Sequence, residues 1–390
     1  MAGDIEKITK PRIVFFVSED WYFYSHRLPL AIAAKKEGFD VYLITKKVSH
    51  SELIKEHGIS VVNLDLNRGK ISPVSDLYMC IKLVKILQNI KPDIIHNVAL
   101  KPILYGNIAA LILGINSSIS SFAGLGYIFI SDTFIARTIN FILRILFRIT
   151  LNRNKNRVIF QNMDDLNLMV NKNFINKNIT TIIRGSGVDK KHFRYSAENN
   201  ETKNIVLASR LLWDKGIGEF VKASEIIRNK NHKNIRFIIV GKLDDQNPSS
   251  ISKRNILNWQ EKKLIEWWGF NDDINKVYQQ SNIVCLPSYR EGLPKSLIEA
   301  AACGRAIVAT DVPGCREIVI DKYNGVLVPP KNATLLAEAI LDLINDNSRR
   351  NKMGKNGLKY FQNNFTIENI VSQHVKIYRN LSTKSHFNEN

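Results

Sequence analysis

Short apolar runs alternate with stretches of helical period along this chain, and the alternation starts twice. The first series opens on "RIVFFVS" (12–18), continuously apolar and rich in β-branched and aromatic residues. A strand covered on both faces reads this way. A helical stretch closed by Gly38 follows, then "DVYLIT" (40–45), "HSELIKEHG", "SVVNLDL" (60–66), "SDLYMCIKLVKILQNI", "PDIIHNV" (92–98) and "KPILYGNIAALILG". Strands separated by helices predict a doubly wound parallel sheet. The second series opens on "NIVLAS" (204–209) and continues through "RFIIVG", "NIVCLPS" and "AIVAT", each followed by a helical or turn segment. The chain therefore reads as two Rossmann-like α/β domains in tandem. The expected boundaries are 1–190 and 200–365, joined by the polar stretch near 185–203, with a final helical tail over 366–390.

At 390 residues the chain has room for two such cores, and 45% hydrophobic with 23% charged content is globular. The formal charge of +19 predicts attraction to something anionic. Nucleic acid is disfavoured, because no helix-turn-helix, RNP-type strand or zinc motif is present to read bases. Four cysteines without a C-x-x-C pair argue against a disulfide scaffold and a zinc site. The amino terminus lacks an apolar signal core and no segment is apolar for long enough to span a bilayer, so a cytoplasmic location is expected.

In open α/β sheets anions bind beyond the carboxyl ends of strands. Three segments of the second half have that placement. In "ASRLLWDKGIGEF", Arg210 and Lys215 flank a turn ending at Gly216. They suit a diphosphate, guanidinium as a fork and ammonium as a point charge, or else form the solvated rim of a loop. In "REGLPKSLIEAAACG", Glu291 precedes a helix and Glu299 lies more than one turn inside it. The two carboxylates are placed to grip hydroxyls at opposite ends of an extended ligand. Gly292 allows close approach, the N–H groups around Leu293 and Lys295 can face oxygen atoms, and Pro294 offers no donor. A capping Glu291 and a solvated Glu299 are the plainer alternative. In "EWWGFNDDI", Gly269 and Phe270 form either a platform for a base ring or part of an ordinary core turn. No Gly-rich dinucleotide or P-loop signature, G-x-S-x-G elbow, H-E-x-x-H or Asp-X-Asp occurs.

The set "SRLLWDKG", "GFNDDI", "SYREGLPKSLIEAAACGRAIVATDVPGCREIV" and "NGVLVPP" resembles the family 4 glycosyltransferases of the GT-B fold. The resemblance implies two Rossmann-like domains facing across a cleft, a sugar nucleotide held mainly by the second, and a last helix crossing back to the first. It implies metal-independent transfer with retention and no cofactor beyond the UDP-sugar donor. Arg210, Lys215 and Glu291 would form the catalytic set: the two cations neutralise the leaving diphosphate and Glu291 holds donor-sugar hydroxyls. Glu299 would hold the ribose, and the Gly269–Phe270 turn lies where the family places its base. The segments "FFVSEDWYFYSHRLPLAIAAKKEGFDVYLIT", "IIHNVALKPILYGNIAA" and "FAGLGYIF" resemble bacterial enzymes that extend polyprenyl-diphosphate-linked sugars, among them N-acetylgalactosaminyltransferases. Where many members carry a histidine before the glycine of the last segment, this chain has Ala123 before Gly124. By topology His26 and Arg27 after the first strand, and His96 and Lys101 after the fourth, are substitutes beside the cleft.

Residues 133–163 offer a basic helix for the acceptor's membrane. Arg137, Arg144 and Arg148 share one face, with Phe141, Phe147 and several isoleucines and leucines between them. The pattern suits an interfacial helix on an acidic leaflet or a core helix with a basic rim. Together these features predict a peripheral membrane glycosyltransferase that moves an N-acetylhexosamine from a UDP-sugar to a lipid-linked saccharide. The alternatives are a soluble GDP-mannose or UDP-glucose transferase with a small acceptor, and a non-catalytic nucleotide-sugar-binding scaffold.

Overall fold

The computed structural model describes residues 10–66, 73–115, 117–125, 129, 133–153, 155–199, 201, 203–232, 234–244 and 247–382. The start of the amino-terminal stretch read for a signal core lies outside these residues. So do 126–128 of "FAGLGYIF" and positions 200 and 202 of the polar linker. The chain forms two compact units. One comprises the residues up to Ser186 together with those from Ile370 onward, the other Gly187–Asn369.

The first unit contains β1 (Arg12–Glu19), α1 (Asp20–His26), α2 (Leu28–Lys36), β2 (Asp40–Lys46), α3 (Ser51–Glu56), β3 (Ser60–Asn63), α4 (Pro73–Ile90) and β4 (Ile94–Val98). It continues with α5 (Leu100–Ile112), β5 (Ser117–Ser121), α6 (Phe134–Thr150), β6 (Asn156–Phe160), α7 (Met163–Asn171) and β7 (Thr180–Ile182). Its strands form a parallel seven-stranded sheet in the order β3-β2-β1-β4-β5-β6-β7. Ile13, Phe15 and Val17 of β1 face α2 and the last helix of the chain, while Val14 and Phe16 face α4 and α5. Burial on both faces is why β1 reads as an unbroken apolar run.

Two elements depart from the sequence reading. The helical stretch after β1 is two helices, starting already at Asp20, which accepts backbone N–H bonds from Val48 and His50 at 3.0 Å and a 2.8 Å bond from Ser51 Oγ. β5 has the sequence SSISS, which lacks an apolar signature. Asn107 of α5 satisfies its inward hydroxyls, accepting from Ser118 Oγ at 2.6 Å and donating to Ser120 Oγ at 2.8 Å.

The second unit runs β8 (Asn204–Ala208), α8 (Ile217–Asn229), β9 (Arg236–Val240), α9 (Lys253–Glu261), β10 (Glu266–Trp267), α10 (Ile274–Gln279) and β11 (Ile283–Leu286). Then follow α11 (Lys295–Ala302), β12 (Ala306–Thr310), α12 (Pro313–Arg316), β13 (Gly325–Val328), α13 (Ala333–Asn345) and α14 (Asn347–Asn364). Its parallel sheet has the order β10-β9-β8-β11-β12-β13. The last helix, α15 (Ile367–Leu381), belongs to the first unit from Ile370 onward, where Ile370, Tyr378 and Leu381 join the core over β1.

Candidate active site

In the second unit, β9 lies on one side of β8 and β11 on the other, so the strand order reverses between β8 and β11. Loops leaving such a pair splay apart and open a ligand crevice at the carboxyl edge. The chain after β8 makes one 3-10 turn over Trp213–Lys215 and enters α8 through Gly216, whose φ of 70° is left-handed. A Cβ at Gly216 would strike the carbonyl oxygen of Pro287 just after β11, so only glycine brings the two loops this close. The loops are laced twice more. The Tyr289 N–H donates to the Asp214 carbonyl at 2.9 Å, and the Tyr289 hydroxyl donates to Glu219 of α8 at 2.9 Å.

The lacing brings together two of the expected residues across the reversal point. Lys215 Nζ lies 2.5 Å from Glu291 Oε1, and Ser288 Oγ donates to the same oxygen at 2.7 Å. The Glu291 carbonyl accepts from the Gly314 N–H at 3.2 Å, which fixes the backbone entering Gly292. Leu293 is half-buried, and buried Pro294 occupies the cap position of α11. Inside α11, Glu299 is buried, with Lys295 Nζ 3.7 Å from Oε1 and the Tyr278 hydroxyl 3.5 Å from Oε2. Burial drives its carboxyl up to about 7, an effect that Lys295 and Tyr278 only partly offset.

Arg210 is not part of this cluster. Its guanidinium pairs with Asp244 Oδ2 at 2.9 Å, and its side chain is 56% exposed. On the far side of β9, the Gly269 carbonyl accepts from the Gly241 N–H at 2.7 Å, and Gly269 turns with φ 70°. Phe270 is exposed beyond that turn, with Lys242 Nζ 3.9 Å from its ring centre. Sequence reasoning did not single out Ser288, Tyr289, Asp244, Lys242 or Tyr278. Apart from Ser288, which lies three residues from Glu291, their contacts join segments well separated in sequence.

Residues 188–360 match the family described as glycosyl transferases group 1, and residues 12–162 match glycosyl transferase 4-like. With a glycosyltransferase model matching each half, the chain is a glycosyltransferase, and it has the GT-B fold. It is 29% identical over 385 residues to a Campylobacter jejuni N,N'-diacetylbacillosaminyl-diphospho-undecaprenol alpha-1,3-N-acetylgalactosaminyltransferase, covering 94% of this chain and 98% of that one. A UDP-Gal:alpha-D-GlcNAc-diphosphoundecaprenol alpha-1,3-galactosyltransferase from Escherichia coli is 22% identical, over 88% and 89% of the two chains. Among solved structures, a glycosyltransferase from Rickettsia africae superposes with a TM-score of 0.76 at 18% identity, covering 97% of this chain and all of that one.

In the first unit of this glycosyltransferase the expected acceptor residues separate by environment. His96 is fully buried, its Nδ1 2.8 Å from the Tyr378 hydroxyl and its Nε2 2.7 Å from Ser121 Oγ, so both nitrogens are occupied. His26 stacks on Tyr22 with ring centres 4.4 Å apart and has Nδ1 2.6 Å from Ser25 Oγ. Lys101 pairs with Asp76 at 3.4 Å. Gly124 has φ 131°, and Arg27 is buried.

Helix α6 carries apolar residues on two faces. Ala136, Leu143, Phe147 and Thr150 are buried against the core. Phe134, Ile135, Phe141, Ile142, Ile145 and Ile149 point outward, with Phe141 56% exposed. Phe147, expected at the lipid surface, is instead 0% exposed between Phe122 and Phe174 and cannot reach a membrane. Exposed Arg137 and Arg148, with half-buried Arg144, form a row along one flank of the outward apolar face. The sequence reading missed a similar surface on α4, where Val74, Leu77, Tyr78 and Ile81 point outward, followed by exposed Lys82 and Lys85. No helix among the described residues is long and apolar enough to cross a membrane.

Proposed function

We propose that this glycosyltransferase moves an N-acetylhexosamine, or a related sugar, from a UDP-sugar to a polyprenyl-diphosphate-linked saccharide during assembly of a bacterial glycan. The activities of its Campylobacter and E. coli relatives support the acceptor class. The observation that carries the donor site is the Lys215–Glu291 contact of 2.5 Å at the strand-order reversal. Without a ligand the two groups neutralise each other. In this reading the donor separates them, its diphosphate turning to Lys215 and its sugar hydroxyls to Glu291. Glu299 accepts from the ribose hydroxyls, while Phe270 and Gly269 border the base. Arg210 exchanges Asp244 for a phosphate oxygen, and the backbone from Gly292 to Lys295 at the start of α11 adds donors to the same oxygens.

Transfer then needs no protein nucleophile and no metal cofactor. The bond from the anomeric carbon to the donor phosphate breaks as the acceptor hydroxyl attacks from the same face, and that hydroxyl's proton passes to the departing phosphate. Lys215 and Arg210 stabilise the charge growing on the diphosphate. The first unit carries the acceptor and rests peripherally on the acidic inner leaflet of the cytoplasmic membrane. The outward apolar faces of α6 and α4 and their flanking cations support that placement. The test is release of UDP or GDP from a panel of UDP- and GDP-sugars on adding polyprenyl-diphosphate saccharides. Lys215→Met and Glu291→Gln are each expected to abolish it; transfer at the wild-type rate by both variants refutes the assignment.

A further inference from the structure

Arg27, at the junction of α1 and α2, is 2% exposed, and its buried Nε has no hydrogen-bond partner. Among the described residues its guanidinium makes no hydrogen bond or ion pair. Among the described residues no carboxylate pairs with it. His96 spends both nitrogens on Tyr378 and Ser121. His374 of α15 has Nδ1 3.0 Å from the Ile370 carbonyl, and its Nε2 is buried without a partner. The rings of His96 and His374 stack 5.8 Å apart, and Tyr378 lies 5.8 Å from His96. Burial, reinforced by the charge of Arg27, keeps both imidazoles neutral, with His374 lowered to about 3. A buried guanidinium with no carboxylate partner among the described residues is a poor structural choice, because a buried charge without a partner is strongly destabilising.

Its position suggests what it awaits. The first sheet reverses strand order between β1 and β4, as the second does between β8 and β11. Arg27 follows β1 through α1, and His96 lies on β4 opposite Phe15 of β1. The backbone is strained three residues beyond His96. Ala99, between β4 and α5, has φ 76° and ψ 163°, a region otherwise left to glycine, and strain of this kind gathers at ligand sites. A guanidinium fork at a switch point is suited to phosphate oxygens.

We infer that Arg27 is an anion-binding residue of the first unit that receives a phosphate group of a substrate, held in place by the neutral His96–His374–Tyr378 platform. This rests on the proposal that the enzyme handles diphosphate substrates. The phosphate belongs either to the lipid-linked acceptor or to the nucleotide donor.

Thermal unfolding at constant ionic strength, with and without inorganic pyrophosphate, tests the inference without needing transfer activity. Lys215→Met serves as the background, so that binding at the donor site does not contribute. Pyrophosphate is expected to raise the melting temperature in that background. Adding Arg27→Met should abolish the rise while leaving the anion-free melting temperature equal or higher, because an unpaired charge has been removed. Arg27→Lys, which keeps the charge, should retain part of the response. In otherwise wild-type enzyme, Arg27→Met should raise the acceptor KM by about tenfold or more if the acceptor supplies the phosphate, or weaken UDP binding similarly if the donor does. A lower anion-free melting temperature in Arg27→Met with the pyrophosphate response intact would show a structural guanidinium and overturn the inference. Absence of any response in the Lys215→Met background would overturn it as well. A normal pyrophosphate response with no transfer from any donor would instead count against the proposed reaction.

Discussion

Glu299 gives the sharpest quantitative test of the donor site. Its carboxyl stands at about 7 in the fold against 4.5 for an ordinary glutamate, with burial as the main cause. The displacement corresponds to roughly 3 kcal/mol of preference for the protonated form. The folded state holds this proton more tightly than the unfolded chain does. Stability therefore falls as pH rises from 4.5 to 7 and levels off above that. If ribose hydroxyls are held by the ionised carboxylate, donor binding has the opposite dependence. About one molecule in ten is ionised at pH 6 and about nine in ten at pH 8, so affinity should improve by about tenfold between them. A UDP-sugar is the proper probe in calorimetry, because a terminal phosphate has its own proton leaving near pH 6. Glu299→Gln should bind the donor more weakly than wild type at pH 8, show no pH dependence from 6 to 8, and be no less stable than wild type at pH 8. A wild-type affinity that is flat across this range, or a Gln variant that binds like wild type at pH 8, refutes the role.

Three further outcomes follow from the geometry. Gly216→Ala should cost at least ~1–2 kcal/mol in chemical denaturation from the left-handed backbone alone, and should lose donor binding because Lys215 shifts with its loop. Ala99→Gly should stabilise the protein by about 1 kcal/mol, strain relief of ~1–3 set against glycine's added chain entropy of ~0.5–1; an unchanged or lower stability contradicts the strain. Phe141→Asp should abolish flotation with acidic vesicles at unchanged stability, whereas Phe147→Ala should cost about 3–5 kcal/mol and leave lipid binding of the folded protein intact. The converse pattern for the two phenylalanines would invalidate the outward face of α6 as a membrane contact.

The two sheets were legible because parallel strands covered on both faces must be apolar throughout, and β1, β8, β9, β11 and β12 are. β5 was not legible, because serines replace that signal and Asn107, on a separate helix, satisfies them. The motif around Glu291 could be found because a glycine, a proline and two carboxylates occur close together in sequence. Its pairing with Lys215 could not, since 76 residues separate them and only the adjacency of β8 and β11 joins them. Periodicity also misassigned Phe147. On a helix with apolar residues on opposite faces, it shows that both faces exist without showing which one the core covers. α4 escaped notice for the same reason: its outward apolar residues continue a pattern that also describes its buried side.

The proposed donor site is internally neutralised at two points, Lys215 with Glu291 and Arg210 with Asp244. The two pairs differ in the role they allow. Lys215 and Glu291 are largely buried, and Ser288 adds a hydrogen bond, so separating them without replacement would leave two charges with little solvent. A ligand that opens this pair must satisfy both groups at once, an anion for the lysine and hydroxyls for the carboxylate. A nucleotide without its sugar satisfies only the first. Arg210 and Asp244 are more exposed, and an exposed pair is worth little, so the guanidinium can turn to a phosphate at small cost. On the proposed reading the tight pair therefore selects a donor that carries both diphosphate and sugar, while the loose pair follows the charge that develops when the sugar leaves.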